Sequence, residues 1–197
     1  MSTIRPATAS DIPAVGRILA SAFLGDPLME WLVPRSDRFE ERAAPWFAAD
    51  AAAKLTGHGE VHVDCDMRGA AIWSSPDHWK GTLREAVQVL PSSVRLFGTK
   101  LPRGIRTLMA MERDHPKDPP HWYLAVIGTH RDHQGKGVGG ALLTAVLDRC
   151  DEQGLPAYLE SSKQVNVAFY ARYGFEVTKE HVTPGGPPMW LMWREPR

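Results

Sequence analysis

Cysteine is almost missing from this sequence: Cys65 and Cys150 are the two among 197 residues. Their separation matches no metal-ligand or redox pairing, which sets aside a disulfide scaffold, a zinc knuckle and a thiol nucleophile. Cys150 falls on the apolar stripe of a helical pattern, and Cys65 stands between Asp64 and Asp66 at a strand end. The eight histidines are scattered, and no metal site is expected. A charge of either sign is also lacking, since 23 Lys and Arg balance 23 Asp and Glu. Without a basic block, binding driven by neutralising nucleic-acid phosphates is not expected. No apolar run approaches the ~18 residues of a membrane span, and no charged-then-apolar leader is present. The expectation is a cytoplasmic protein with neither nucleic acid nor membrane as a partner. Repeats are absent too, and residues 1–197 read as one globular domain.

What is present is concentrated in one stretch. The apolar run Tyr123 to Thr129 feeds His130-Arg131-Asp132-His133-Gln134-Gly135-Lys136-Gly137-Val138-Gly139-Gly140, which opens into a helix. Glycines let successive N–H groups converge on one concavity, and the first turn of a helix adds free N–H groups and a positive dipole end. Such a strand, nest and helix start form an anion site. A Walker phosphate loop needs Ser or Thr after Gly-Lys, and Gly137 stands there instead. The dinucleotide pattern G-x-G-x-x-G is literally matched by Gly135, Gly137 and Gly140, with Glu160 at the distance of its acidic partner. Yet polar residues His130 to Gln134 separate the strand from the first glycine. The stretch from 141 to 197 is also too short for the rest of a doubly wound sheet.

A third reading matches in more places. Gln134-x-x-Gly137-x-Gly139 resembles the acyl-CoA pyrophosphate motif of the GNAT superfamily of N-acetyltransferases. Asn166 to Phe175, with Tyr170 and Gly174-Phe175, resembles that superfamily's later signature. From His115 to Arg197 the chain is similar to the puromycin N-acetyltransferase branch, through Asp132 to Gly137, Leu159-Glu160-Ser161-Ser162, Asn166, Phe169-Tyr170 and Gly174-Phe175. Ala22-Phe23 and Asp26-Pro27 fit the same group. Arg131 departs from it, standing where a proline is common. Residues 76–112 carry little of the resemblance.

The hydrophobic periodicity predicts a mixed α/β sheet of about seven strands flanked by helices. Strands are expected at 1–5, 60–64, 69–73, 121–129, 157–160, 175–181 and 189–194. Helices are expected at 12–23, at 38–55 with a kink at Pro45, and at 83–90, 105–113, 137–153 and 165–172. Pro91 and Pro102 read as breaks, Gly25-Asp26-Pro27 as the end of the first helix, and Gly154 as a C-terminal cap. Residues 76–120 read as a variable helical segment shaping an acceptor site.

The resemblance implies acetyl-CoA as co-substrate and transfer of its acetyl group to a primary amine of a small molecule, of aminoacyl or antibiotic type. It implies a splayed strand whose Ile127, Gly128 and Thr129 pair with the pantetheine arm, the Ile127 N–H facing the thioester oxygen. Backbone amides of Gln134, Gly135, Lys136, Gly137, Val138, Gly139 and Gly140 would hold the pyrophosphate, with Lys136 adding charge. Tyr170 is the candidate general acid, since a phenol of pKa about 10 stays protonated at neutral pH; the competing reading packs it beside Phe169. Asn166 lies one turn earlier and either bonds the cofactor or caps the helix. Glu160 is the candidate base, or else a structural acceptor. Asp26 is the second choice for that role, or a turn former, with Tyr123 and His121 further out. Of the seven tryptophans, Trp46 and Trp73 read as core, whereas Phe23, Trp31 and Trp122 read as acceptor-lining. Open alternatives are an acyl-CoA-binding module without catalysis and a protein or peptide N-acetyltransferase. Self-association into a homodimer is left open.

Overall fold

The computed structural model describes residues 2–183 and 185–197. Its first helix, α1 (Ile12–Ala22), buries Val15, Ile18 and Leu19 at helical spacing. The chain breaks at Gly25 as expected. It then turns straight into an unexpected short helix, α2 (Pro27–Leu32), because the Asp26 carboxylate accepts from the N–H groups of Leu28 and Met29 and Pro27 occupies the first turn. Helix α3 (Phe39–Thr56) runs through Pro45. The carbonyl that Pro45 cannot bond belongs to exposed Glu41, within reach of water. Helices α1 and α3 cross at Gly16, where a Cβ would collide with the Ala44 carbonyl oxygen.

Strands β1 (Ile4–Pro6), β2 (Gly59–Asp64) and β3 (Gly69–Ser74) follow the predicted pattern. Met1, the first residue of the predicted first strand, lies outside the described residues. Two helices fill the segment that prolines were expected to interrupt. Helix α4 (Leu83–Phe97) continues through Pro91, and α5 (Leu101–Asp114) carries Pro102 in its first turn, where no N–H is needed. The C-terminal half of α4 is held by burial of Leu96 and Phe97, by Trp46 edge-on to Phe97 at 5.5 Å, and by Arg42 donating to the carbonyls of Arg95 and Leu96. Those contacts offset the hydrogen bond that Pro91 forfeits.

Strand β4 (Trp122–Thr129), helix α6 (Val138–Gln153), strand β5 (Ala157–Ser161), helix α7 (Gln164–Ala171) and strands β6 (Glu176–Val182) and β7 (Pro188–Arg194) complete the chain. Gly154, at φ +64°, ends α6 as predicted. The seven strands form one sheet in the order β1-β2-β3-β4-β5-β7-β6. Helices α1 and α3 cover one face of its central part, and α6 covers the other.

The sheet's one parallel junction, β4 with β5, is incomplete. Trp122, Tyr123 and Leu124 pair with Ala157, Tyr158 and Leu159, and the two strands then separate. At the same level the β3–β4 register slips: Trp73 opposes Leu124 and Ile72 opposes Val126, so Ala125 is an extra residue. This bulge inverts the side-chain alternation. Trp122 and Leu124 face α6, and one residue out of step Ile127 faces it again, while Val126 packs on the α1–α3 side.

Replacing Gly16 by Val should lower the unfolding free energy by about 1–3 kcal/mol through overpacking of the α1–α3 crossing. Urea unfolding followed by circular dichroism would show a lower midpoint at an unchanged slope.

Candidate functional site

The loop between β4 and α6 is built so that its amides stay free. Gly135 and Gly137 sit at φ +75° and +83°, with nothing within 4 Å of where a Cβ would stand. Gln134 Nε2 donates to the Thr129 carbonyl at 3.2 Å, and Lys136 Nζ donates to the Asp132 carbonyl at 2.9 Å, fastening the loop from its outer side. Among the described residues, the N–H groups of Gly135 to Gly140 find no carbonyl or side-chain acceptor. A row of unpaired amides at a helix start suits a diphosphate. The other glycines here serve packing. A Cβ on Gly140 would strike the Tyr173 hydroxyl, and one on Gly128 would press on Ala22 and Leu19 of α1. The Val138 side chain is buried, so only its backbone faces the loop.

Where β4 and β5 part, residues 126–129 pair with β3 alone, and Glu160 and Ser161 pair with β7 alone. Backbone on the open side of the gap, Ile127 to Thr129 included, is thus without a strand partner there. Thr129 Oγ1 lies 3.6 Å from the Cβ position of Gly139, at the junction of gap and loop. The Asp26 carboxylate caps α2 with one oxygen and accepts from Ser162 Oγ at 2.5 Å with the other, tying the turn after α1 to the end of β5. Both its oxygens are therefore engaged. Tyr170 of α7 is buried against Phe169 and Phe175, and its hydroxyl makes no hydrogen bond among the described residues. Burial, then the Asp26 charge, pushes its pKa above the ordinary phenol value, so it is a proton donor at neutral pH. Asn166 lies one turn before Tyr170 inside α7, and the cap position is Lys163, so Asn166 does not cap that helix.

Glu160 is the first β5 residue beyond the last β4 pair. Its side chain is 5% exposed, accepts from the Tyr123 hydroxyl at 2.6 Å and lies 3.6 Å from His115 Nδ1. His115 stacks on Trp79 at 3.9 Å and meets His121 through their Nε2 atoms at 3.1 Å. Tyr158 closes the cluster with a buried hydroxyl that has no hydrogen-bond partner. Burial and the adjoining Glu160 charge raise both Tyr123 and Tyr158 above the ordinary phenol value. His115 and Trp79 were not among the sequence-derived site residues. They lie within 76–120, in the loops before α4 and after α5, whose spacing follows neither helix nor strand period.

The acceptor-lining expectations divide. Phe23 lines a cavity of about 760 Å³ together with Gly25, Met29, Glu30, Val33 and Phe39, between the end of α1 and the start of α3. Trp31 lies under the Arg103 guanidinium, 4.9 Å from its ring centre, and against Gly186. Trp122 must be corrected. Strand alternation turns it to the face opposite Tyr123, beneath α6, where its indole N–H donates to Gln153 and Arg149 covers the ring.

Residues 103–175, from within α5 to just beyond α7, match the acetyltransferase (GNAT) family model. Along its whole length the chain also superposes on the crystal structure described as histone acetyltransferase HPA2 and related acetyltransferase from Corynebacterium glutamicum. That match has a TM-score of 0.76 and 29% identity, and covers 100% of this chain and 98% of the other. These likenesses support an acetyl-CoA-dependent acetyltransferase, with the GNAT family match confined to residues 103–175. An uncharacterised N-acetyltransferase of Schizosaccharomyces pombe is 28% identical to it, over 95% of this chain and 81% of the relative. The arylalkylamine N-acetyltransferase 2 of Aedes aegypti shares the fold, with a TM-score of 0.68 at 10% identity. GNAT enzymes use acetyl-CoA as co-substrate, and the free amides and parted strands are the features such a ligand requires. No group of side chains among the described residues is arranged to hold a metal ion, and no described helix is long and apolar enough to cross a membrane.

Two substitutions separate backbone conformation from space in the acetyltransferase loop. Gly137→Ala forces a side chain into the left-handed region at a cost of about 1–3 kcal/mol, and calorimetric titration should show weaker acetyl-CoA binding. Gly139→Ala, at ordinary φ with 3.5 Å to Phe169, should bind nearly as wild type. A pH test concerns Asp50 of α3, which burial pushes up to about 6. A carboxyl raised in the folded state contributes stability below its unfolded value and loses it as pH rises through the folded one. Asp50→Asn should therefore raise the melting temperature at pH 7.5 and leave it unchanged at pH 4.

Proposed function

We propose that this acetyltransferase moves the acetyl group of acetyl-CoA onto a primary amine of a small molecule. What supports this reading is a buried carboxylate, Glu160, where the sheet parts, together with a protonated phenol, Tyr170, near enough to Asp26 to be acted on by its charge. Each element has its task. The amides of Gly135 to Gly140 bind the pyrophosphate, with Lys136 at the rim; the expected Gln134 amide is instead spent on the Arg131 carbonyl. The unpaired backbone of Ile127, Gly128 and Thr129 adds the pantetheine arm as a further strand, and Asn166 reaches the cofactor from α7. The Ile127 N–H faces the thioester oxygen and stabilises the charge that develops on it, a contribution on the order of 10²–10³ in rate for one such donor. Glu160 takes the proton that makes the acceptor ammonium a nucleophile. Tyr170 protonates the departing sulfur, its raised pKa favouring rapid recovery of the neutral phenol.

The acceptor occupies the cavity beside Phe23. That space is of drug-sized volume, with apolar walls at Phe23, Met29, Val33 and Phe39 and the Glu30 carboxylate for an ammonium. At its edge Lys100 donates to the carbonyls of Trp31 and Val33, and Asp26 caps the helix that supplies Met29 and Glu30. These features fit an amine with an apolar or aromatic body, the aminoacyl or antibiotic type that the puromycin-branch resemblance implies.

Purified protein incubated with acetyl-CoA and a panel of arylalkyl, aminoacyl and polyamine substrates, plus a histone-tail peptide, should release thiol with an apolar small amine and not with the peptide. Tyr170→Phe should lower kcat by about 10²-fold with the KM for acetyl-CoA little changed. Peptide acetylation alone would overturn the acceptor class. A Tyr170→Phe enzyme as fast as wild type would remove the phenol from the reaction. Binding without transfer to any amine would leave a CoA-binding module.

A further inference from the structure

Behind Glu160, the two buried histidines form a chain whose hydrogen-bond directions are fixed from one end. The Pro119 carbonyl can only accept, so His121 Nδ1, 2.8 Å away, donates to it. Burial holds the His121 imidazole below its ordinary pKa, so at neutral pH this ring carries one proton and its Nε2 is a bare acceptor. His115 Nε2, 3.1 Å from that atom, must then be the donor. The remaining nitrogen, His115 Nδ1, faces Glu160 Oε1 at 3.6 Å, while the other Glu160 oxygen accepts from Tyr123. A neutral His115 in this tautomer directs a lone pair at the carboxylate. The contact becomes attractive when one proton lies between them.

We propose that Glu160 and His115 act as a proton-sharing pair, in which the proton lost by the acceptor ammonium passes through Glu160 to Nδ1 of His115, and that His121 with the Pro119 carbonyl positions His115 for it. This rests on the reading of Glu160 as base. The reaction R–NH3+ plus acetyl–S–CoA gives R–NH–CO–CH3, HS–CoA and one H+. The nitrogen–carbon bond forms as the carbon–sulfur bond breaks, and the thiolate takes its proton from Tyr170. The phenol recovers one from the amide nitrogen. The net proton is the one the pair receives and later yields to water. A distance of 3.6 Å is long for direct transfer, and contacts of this kind commonly tighten once substrate is bound. The surroundings leave the pair the nearest sink: Tyr123 and Tyr158 are held protonated, Asp50 on α3 acts on Tyr123, Asp77 acts on His121, and Asp114 acts on Tyr158. Trp79 covers the His115 ring.

Histidine-selective 15N spectra of the ligand-free full chain, assigned with His115→Gln and His121→Gln, give a readout that needs no substrate. The expected pattern is His121 protonated at Nδ1 and His115 at Nε2, with the His115 Nδ1 resonance moved by Glu160→Gln. In kinetics with the best amine of the panel, His115→Gln should lower kcat about tenfold or more without changing the KM for acetyl-CoA. His121→Gln should produce part of that loss. A His121 ring protonated at Nε2, or a folded His115→Gln enzyme with wild-type kcat, overturns the pair. If Glu160→Gln also retains kcat, the base assignment beneath it fails as well. If Glu160→Gln is slow while His115→Gln is not, the relay alone is wrong. Should His115→Gln not fold, the wild-type tautomers decide.

Discussion

One extra residue in a strand organises this site. Ala125 bulges out of β4 at the level where β4 leaves β5, and the sheet's single parallel junction ends there. A continuous sheet would bury both strands' backbone groups in ladder bonds and leave nothing to receive a ligand. The parting exposes backbone that a bound chain can satisfy, and the slipped alternation sends Val126 to one core and Ile127 to the other. It also leaves Glu160 paired on one side only, at the mouth of the gap.

The carboxylates around that gap illustrate how buried charge is tolerated. Asp26 is 2% exposed, yet each of its oxygens has donors, from two helix amides and from Ser162. Glu160 has the Tyr123 hydroxyl on one oxygen, and its other oxygen faces the His115 ring at 3.6 Å. Those amide and hydroxyl donors satisfy oxygens that burial would otherwise leave without a partner, at a cost of about 1–3 kcal/mol each. Asp26 is thereby committed to structure, whereas Glu160 retains one oxygen facing a titratable partner. That difference sets the two acids apart: one is fully engaged in the fold, and the other keeps an oxygen toward the His115 ring.

Much of the architecture was legible from local patterns. The apolar run at 122–129, the glycine-dense turn and the stripe of Val138, Leu142, Val146 and Cys150 each encode their element within a few residues. Pro91 and Pro102 misled because a proline's cost depends on what the flanking helix packs against. Trp46, Arg42 and Phe97 meet only in three dimensions. Trp122 misled because one step of strand alternation sends it to the opposite face from Tyr123. The short helix after Asp26 was hidden because Asp-Pro reads equally as a turn and as a cap. His115 was unreadable as a partner of Glu160, since 45 positions separate them in sequence and loops carry no period.

The strand order has a consequence for how the chain reaches this state. Strand β7 follows β6 in sequence but lies between β6 and β5, and its Leu191 is the residue opposite Glu160. Until residues 188–194 have emerged and slotted into that vacancy, β5 has a raw edge and its acid has no neighbour to fix its backbone. Late insertion of a central strand is a long-range, slow event. A nascent chain of this kind therefore fixes the backbone around Glu160 only after β6 and β7 have both been made, and until then it carries a sticky sheet edge.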